Sequence, residues 1–168
     1  MVRVRILGVA LDPAQEHVIL LKPVARPWDR ILPVWIGAQE ATAILVAVQG
    51  AASPRPLAHE LMLSIVEELS ARVERVEVTR IDEGTFYAAV TLDTPLGVRV
   101  VDARPSDAIA LASRADAPIY VADEVLAVAG IPDTVSEAPE EGAAQDEESR
   151  IAEFRSFLDD VEPEDFER

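Results

Sequence analysis

The hydrophobic period of this chain changes in blocks, and the order of those blocks restricts the fold more than any single motif does. Val2, Val4 and Ile6 alternate with Arg3, Arg5 and Leu7, the period of two expected of a sheet with one buried face. Segments 17–22 and 31–36 read as two further strands, the second closed by Gly37. The period then lengthens. Segment 38–49 is apolar nearly all round and stops at Gly50, which predicts a helix buried under the sheet or in a homodimer. Segment 57–71 repeats Leu61, Ile65 and Leu69 at every fourth position, again helical. Strands return at 73–81, 86–92 and 97–102, separated by Asp82-Glu83-Gly84 and Thr94-Pro95-Leu96-Gly97, turn residues that predict an antiparallel meander. A helix at 105–115, a short strand at 118–121 and a short helix at 123–129 complete the series. Strands and helices come in runs, which argues against a doubly wound sheet. The prediction is an α+β fold with a mixed, mainly antiparallel sheet, three to four packed helices and an acidic C-terminal tail.

With 168 residues, 49% of them hydrophobic, the chain can bury one substantial core, assigned to residues 1–130. Segment 131–149 turns to Glu, Ala, Pro, Asp and Gly and predicts an acidic disordered linker. In segment 150–168, Ile151, Phe154, Phe157, Leu158 and Val161 return at helical spacing. This is a short amphipathic acidic peptide, either a docking element for a protein partner or a solvated tail. The net charge of −16 is unevenly spread: residues 131–168 hold fourteen acids and three arginines, against seventeen acids and twelve bases in residues 1–130. Such acidity argues against a protein that coats nucleic acid through a basic surface. It leaves open an enzyme that meets a phosphodiester locally. The chain has no cysteine, which excludes disulfides, thiolate metal sites and thiol nucleophiles. The opening residues alternate like a strand and lack a signal-peptide pattern, and no apolar run reaches membrane-spanning length. A cytoplasmic protein without membrane contact is expected.

Polar groups concentrate at three helix starts. In V-V-D-A-R-P-S-D-A-I-A-L, residues 100–111, a strand ends and Pro105 opens a helix, crowding Asp102, Arg104, Ser106 and Asp107 into one corner. Glu40 falls in the first turn after Gly37, and Arg55, His59 and Glu60 surround the start of the helix at 57. Converged, Asp102, Asp107, Glu40 and Glu60 would be candidate metal or base carboxylates. Arg104, Arg55 and Ser106 would meet phosphate oxygens, and His59 would be a candidate general acid or base. A divalent ion, magnesium or manganese, is placed between Asp102 and Asp107. Each group also has an ordinary role: Ser106 and Asp107 as helix caps, Glu40 as a complement to the helix dipole, His59 as a cap or surface residue. Trp35 is read as core. No phosphate-binding glycine loop, dinucleotide fingerprint, H-E-x-x-H or G-x-S-x-G is present. With only His17 and His59, a multi-histidine metal site within one chain is not expected.

Four blocks, L-P-V-W-I-G-A-Q-E-A at 32–41, P-R-P-L-A-H-E-L at 54–61, G-T-F-Y-A at 84–88 and D-A-R-P-S-D-A-I-A-L at 102–111, closely resemble the bifunctional nuclease family. The ending F-R-S-F-L-D-D-V-E-P-E-D-F is similar to that of actinobacterial members. Relatives often carry a hydroxyl residue before the histidine, where this chain has Ala58. The resemblance implies a compact α+β domain that cleaves both DNA and RNA. The competing reading is a non-catalytic adaptor that binds a protein or small ligand and uses the acidic peptide for docking. Convergence of the three helix starts on a cleft would favour the enzyme, and scattered starts the adaptor.

Overall fold

The computed structural model describes residues 1–25, 29–50 and 55–133. The described elements run β1 (Val2–Leu11), β2 (His17–Pro23), β3 (Arg30–Ile36), α1 (Ala38–Val48), α2 (Ala58–Glu68), β4 (Arg72–Asp82), β5 (Thr85–Asp93), β6 (Arg99–Ala103), α3 (Pro105–Ala115), β7 (Ile119–Val121), α4 (Asp123–Ala129) and β8 (Ile131–Pro132). The eight strands form one sheet in the order β6-β5-β4-β7-β1-β2-β3-β8. Every pair is antiparallel except β4–β7. The α+β class and the antiparallel meander β4-β5-β6 are as expected.

Alternation along the strands separates two apolar faces. One face is the main core, where Ile19, Leu21, Leu32, Val34, Val76, Val78 and Val121 meet Ile44 of α1, Ile109 of α3 and Leu126 of α4. The other is a smaller cluster of Val18, Leu20, Ile31 and Ile131 with Trp35 packed against it. The Trp35 indole donates to Asp12 Oδ2 at 3.0 Å, and Asp12 Oδ1 accepts the Glu16 N–H at 2.8 Å, so Trp35 also braces the β1–β2 turn.

Within the single chain the helices are buried unequally. The apolar α1 buries only Ala41 and Ile44 and leaves Leu45 and Val48 exposed. In α2 the ladder Leu57, Leu61, Ile65 and Leu69 faces outward, and His59 is the helix's one buried residue. The reason is α3, which occupies the centre of the helical layer with seven buried residues, so its neighbours meet it along one edge each. Helix α2 also ends earlier than its apolar pattern. Ser70 adopts a left-handed φ of 56°, and the Ala71 N–H returns to the Val66 carbonyl, a Schellman-type stop.

The sheet runs past residue 130. Ile131 pairs with Ile31 in the sheet and is buried, and Lys22 Nζ lies 2.7 Å from Asp133 Oδ2, so the segment starting at 131 is folded in before its composition turns acidic. The rest of the expected linker and the amphipathic acidic peptide lie outside the described residues. Among the described residues no helix is long and apolar enough to cross a membrane.

Candidate active site

Three helix starts come together because α1 and α2 both pack on α3. Pro105 stands at the start of α3, where a fixed φ and a missing N–H cost nothing, and Arg104 is its N-cap residue. Asp107, one turn in, does not cap the helix. Its Oδ2 accepts from Arg104 Nε at 2.8 Å, and its Oδ1 faces both Arg104 Nη2 at 3.3 Å and His59 Nε2 at 3.2 Å. Arg104 reaches on to α1, where Nη1 lies 3.0 Å from Glu40 Oε1. A continuous chain, Glu40–Arg104–Asp107–His59, therefore links all three helices. Gly37 makes room for it: a Cβ there would collide with the Glu40 carboxylate.

Electrostatics follow from these contacts. Burial alone would raise the pKa of the Asp107 carboxyl, but the hydrogen bonds from Arg104 and His59, with their charges, more than reverse this and hold it below the ordinary value of 3.8. The same hydrogen bond and the Asp107 charge raise the Arg104 guanidinium, which stays protonated. A carboxyl with a depressed pKa contributes stability that is present above its unfolded value and is lost as pH falls through the folded one. The stability difference between wild type and Asp107→Asn should therefore shrink as pH falls through and below 3.8. Urea unfolding at a series of pH values checks this, and a difference that does not change with pH would refute the assignment.

The other candidates separate. Glu60 Oε2 accepts the Leu57 N–H at 2.8 Å, half of a capping box, and its Oε1 lies 3.6 Å from Arg114 Nε. Ser106 is buried beside the junction. Arg55 is exposed ahead of α2 and has no part in the chain of contacts. Asp102 is exposed on β6; because Ala103 packs on the main core, alternation turns Asp102 to the opposite face of the sheet from Asp107. With Asp107's oxygens already engaged, Asp102 and Asp107 do not fit a shared magnesium or manganese ion. Among the described residues no three His, Asp or Glu side chains group as a metal site.

Two features were not anticipated. One is a cleft of about 320 Å³ lined by Trp35, Gly37, Glu40, Phe86, Arg104 and Ser106. The other is Arg114, buried at the junction of α1, α2 and α3. It stands seven residues after Asp107, two helical turns on along the same face, and that spacing was the available signal.

Three of the four sequence blocks thus border one cleft, and the fourth delivers His59 to the arginine–aspartate pair beside it. The class this defines is an α+β domain whose polar machinery is assembled across helix starts. The chain belongs to the bifunctional nuclease domain family, which it matches over residues 19–134. It is 41% identical over 165 residues to the uncharacterized protein Rv1829 of Mycobacterium tuberculosis strain H37Rv, covering 97% of this chain and 96% of that one. The uncharacterized protein MT1877 of strain CDC 1551 is similar to the same degree. Bifunctional nuclease 1 of Oryza sativa subsp. japonica is 28% identical over 114 residues, 66% of this chain and 34% of the plant protein.

Proposed function

We propose that this domain cleaves phosphodiester bonds of RNA and DNA at the corner where His59, Asp107 and Arg104 meet. The observation that carries the reading is the continuous contact of these three side chains beside a cleft bordered by Arg104. Asp107 engages His59 through Nε2, which orients the ring and leaves Nδ1 as the nitrogen able to exchange a proton with substrate. Arg104 donates two of its five N–H groups to Asp107, and its Nη1 lies 3.0 Å from Glu40 Oε1. Its remaining N–H groups can meet phosphate oxygens. Arg104 is 67% exposed, so a substrate can reach it. Convergence of the helix starts favours this reading over the adaptor. The whole reading needs no carboxylate pair to hold a metal, and the role of magnesium or manganese is settled by assay.

Purified wild type and Asp107→Asn should be compared on labelled single-stranded RNA and DNA with magnesium, manganese or chelator. Wild type is expected to cleave, and the variant to fall by at least about a hundredfold. Equal cleavage by both would remove this corner from the reaction. Cleavage by neither would return the domain to the adaptor reading.

A further inference from the structure

We propose that Arg114 is a positioning residue which, through Glu60, fixes the first turn of α2 and so the presentation of His59 to Asp107. Arg114 belongs to α3, and its side chain is 6% exposed. Its Nη1 donates to the Ala43 carbonyl of α1 at 2.8 Å, while Nε faces Glu60 Oε1 of α2 at 3.6 Å. One guanidinium therefore touches all three helices of the site. Its Nε and Nη2 are fully enclosed and make no hydrogen bond. Together they form the side-on edge that suits a carboxylate, and the carboxylate standing before that edge is Glu60.

A buried charge at such a place is costly unless it is paired, so its retention calls for a reason beyond packing. The burial of α2 supplies one. Leu61, Ile65 and Leu69 point outward, His59 is the helix's one buried residue, and Leu63 alone of the α2 side chains joins the apolar packing of the main core, so apolar contact holds α2 along one narrow edge. Polar anchors must then set its orientation. There are two, on successive residues of α2: His59 to Asp107, and Glu60 to Arg114. On α3 these anchors are seven residues apart, about 10 Å along the axis. A single anchor would let the first turn of α2 pivot about it, and two separated anchors stop that rotation. Glu60 has a further tie, since its other oxygen holds the Leu57 N–H at the start of the same turn.

The kinetic consequence rests on the nuclease reading; the structural one does not. Ring-nitrogen NMR separates them, because His17 and His59 are the chain's only histidines and His17 lies on β2, outside α2 and α3. Glu60→Gln, Arg114→Met and Arg114→Lys would be compared with wild type. The Glu60 side chain is 29% exposed and glutamine keeps an oxygen for the Leu57 N–H, but the change leaves the buried Arg114 without its counter-charge; Arg114→Lys, which keeps a cation opposite Glu60, keeps the test open if either of the other variants fails to fold. In Glu60→Gln and Arg114→Met the His59 ring signals should move and broaden while those of His17 stay in place. Turnover should fall about tenfold to a hundredfold with KM little changed. Arg114→Lys, which keeps the charge without the fork, should recover part of both effects. His59 signals of Glu60→Gln that superpose on wild type would overturn the proposal, whatever the activity. Shifted His59 signals in a protein that never cleaves nucleic acid would uphold the positioning and reject the nuclease.

Discussion

His59→Gln is expected to lower phosphodiester turnover by a factor of about 10² to 10⁴ while the domain keeps its fold. Glutamine places an amide nitrogen near the position of the histidine Nε2, so the contact with Asp107 Oδ1, 3.2 Å in the native protein, can be retained. An amide does not act as a general acid or base near neutral pH, and the substitution therefore removes proton transfer and keeps the scaffold. The stability cost should be no more than about 1 kcal/mol, the worth of one ordinary hydrogen bond. Steady-state cleavage of labelled RNA and DNA, run beside thermal melts, reads both quantities. Turnover within threefold of wild type in a folded variant would take His59 out of the chemistry and leave Arg104 and the cleft to be reassigned.

Ile109→Ala should be the most damaging of the conservative truncations, costing about 2–5 kcal/mol. Ile109 is fully buried in the middle of α3, where that helix meets the sheet and both flanking helices. Close packing prevents the surroundings from collapsing onto the deleted methyls, so a cavity cost adds to the transfer cost. Against a total of about 5–15 kcal/mol for a domain, such a loss moves the urea midpoint far toward water. Leu61→Ala on the outer face of α2, where the residue is 53% exposed, should change stability by less than about 1 kcal/mol. A cost for Ile109→Ala as small as that for Leu61→Ala would mean that α3 is not the centre of the helical layer. Because α3 also carries Arg104, Asp107 and Arg114, loss of cleavage on heating should track its melting.

Elements governed by local rules were the legible ones. Pro105 at the start and Asp116 in a left-handed C-cap confine α3 to 105–115, and Gly130 closes α4, so both helices match their expected spans. Turn residues between β4, β5 and β6 likewise disclosed the meander. What escaped notice depends on distant partners. Strand β8 is two residues long and enters an acidic run, and only its pairing with β3 and the Lys22–Asp133 contact make it part of the domain. The outward face of α2 could not be foreseen, since an apolar ladder with an i, i+4 spacing looks the same whether it meets a core or solvent. At the site, the crowding of Arg104 and Asp107 was visible along the chain, and their ties to Glu40 and His59 were not. Asp102 shows the limit most plainly. It lies five residues from Asp107, yet strand alternation places it across the sheet.

Strand β7 has a consequence for how the protein is made. Its three residues lie between β4 and β1, joining the hairpin strands β1-β2-β3 to the meander β4-β5-β6, with Val2 paired to Val121 across nearly the whole domain. On a ribosome, each of those two groups can form from neighbouring turns as it emerges. They cannot be spliced until residues 119–121 follow, after the polar corner of α3 has already left the tunnel. That pairing spans the longest loop of any strand pair in the sheet, so it carries the largest closure cost, and it joins two local hairpin systems into one sheet. Until it forms, α3 has β4 and β5 to pack on, while the strands β1-β2-β3 have no neighbour on that side.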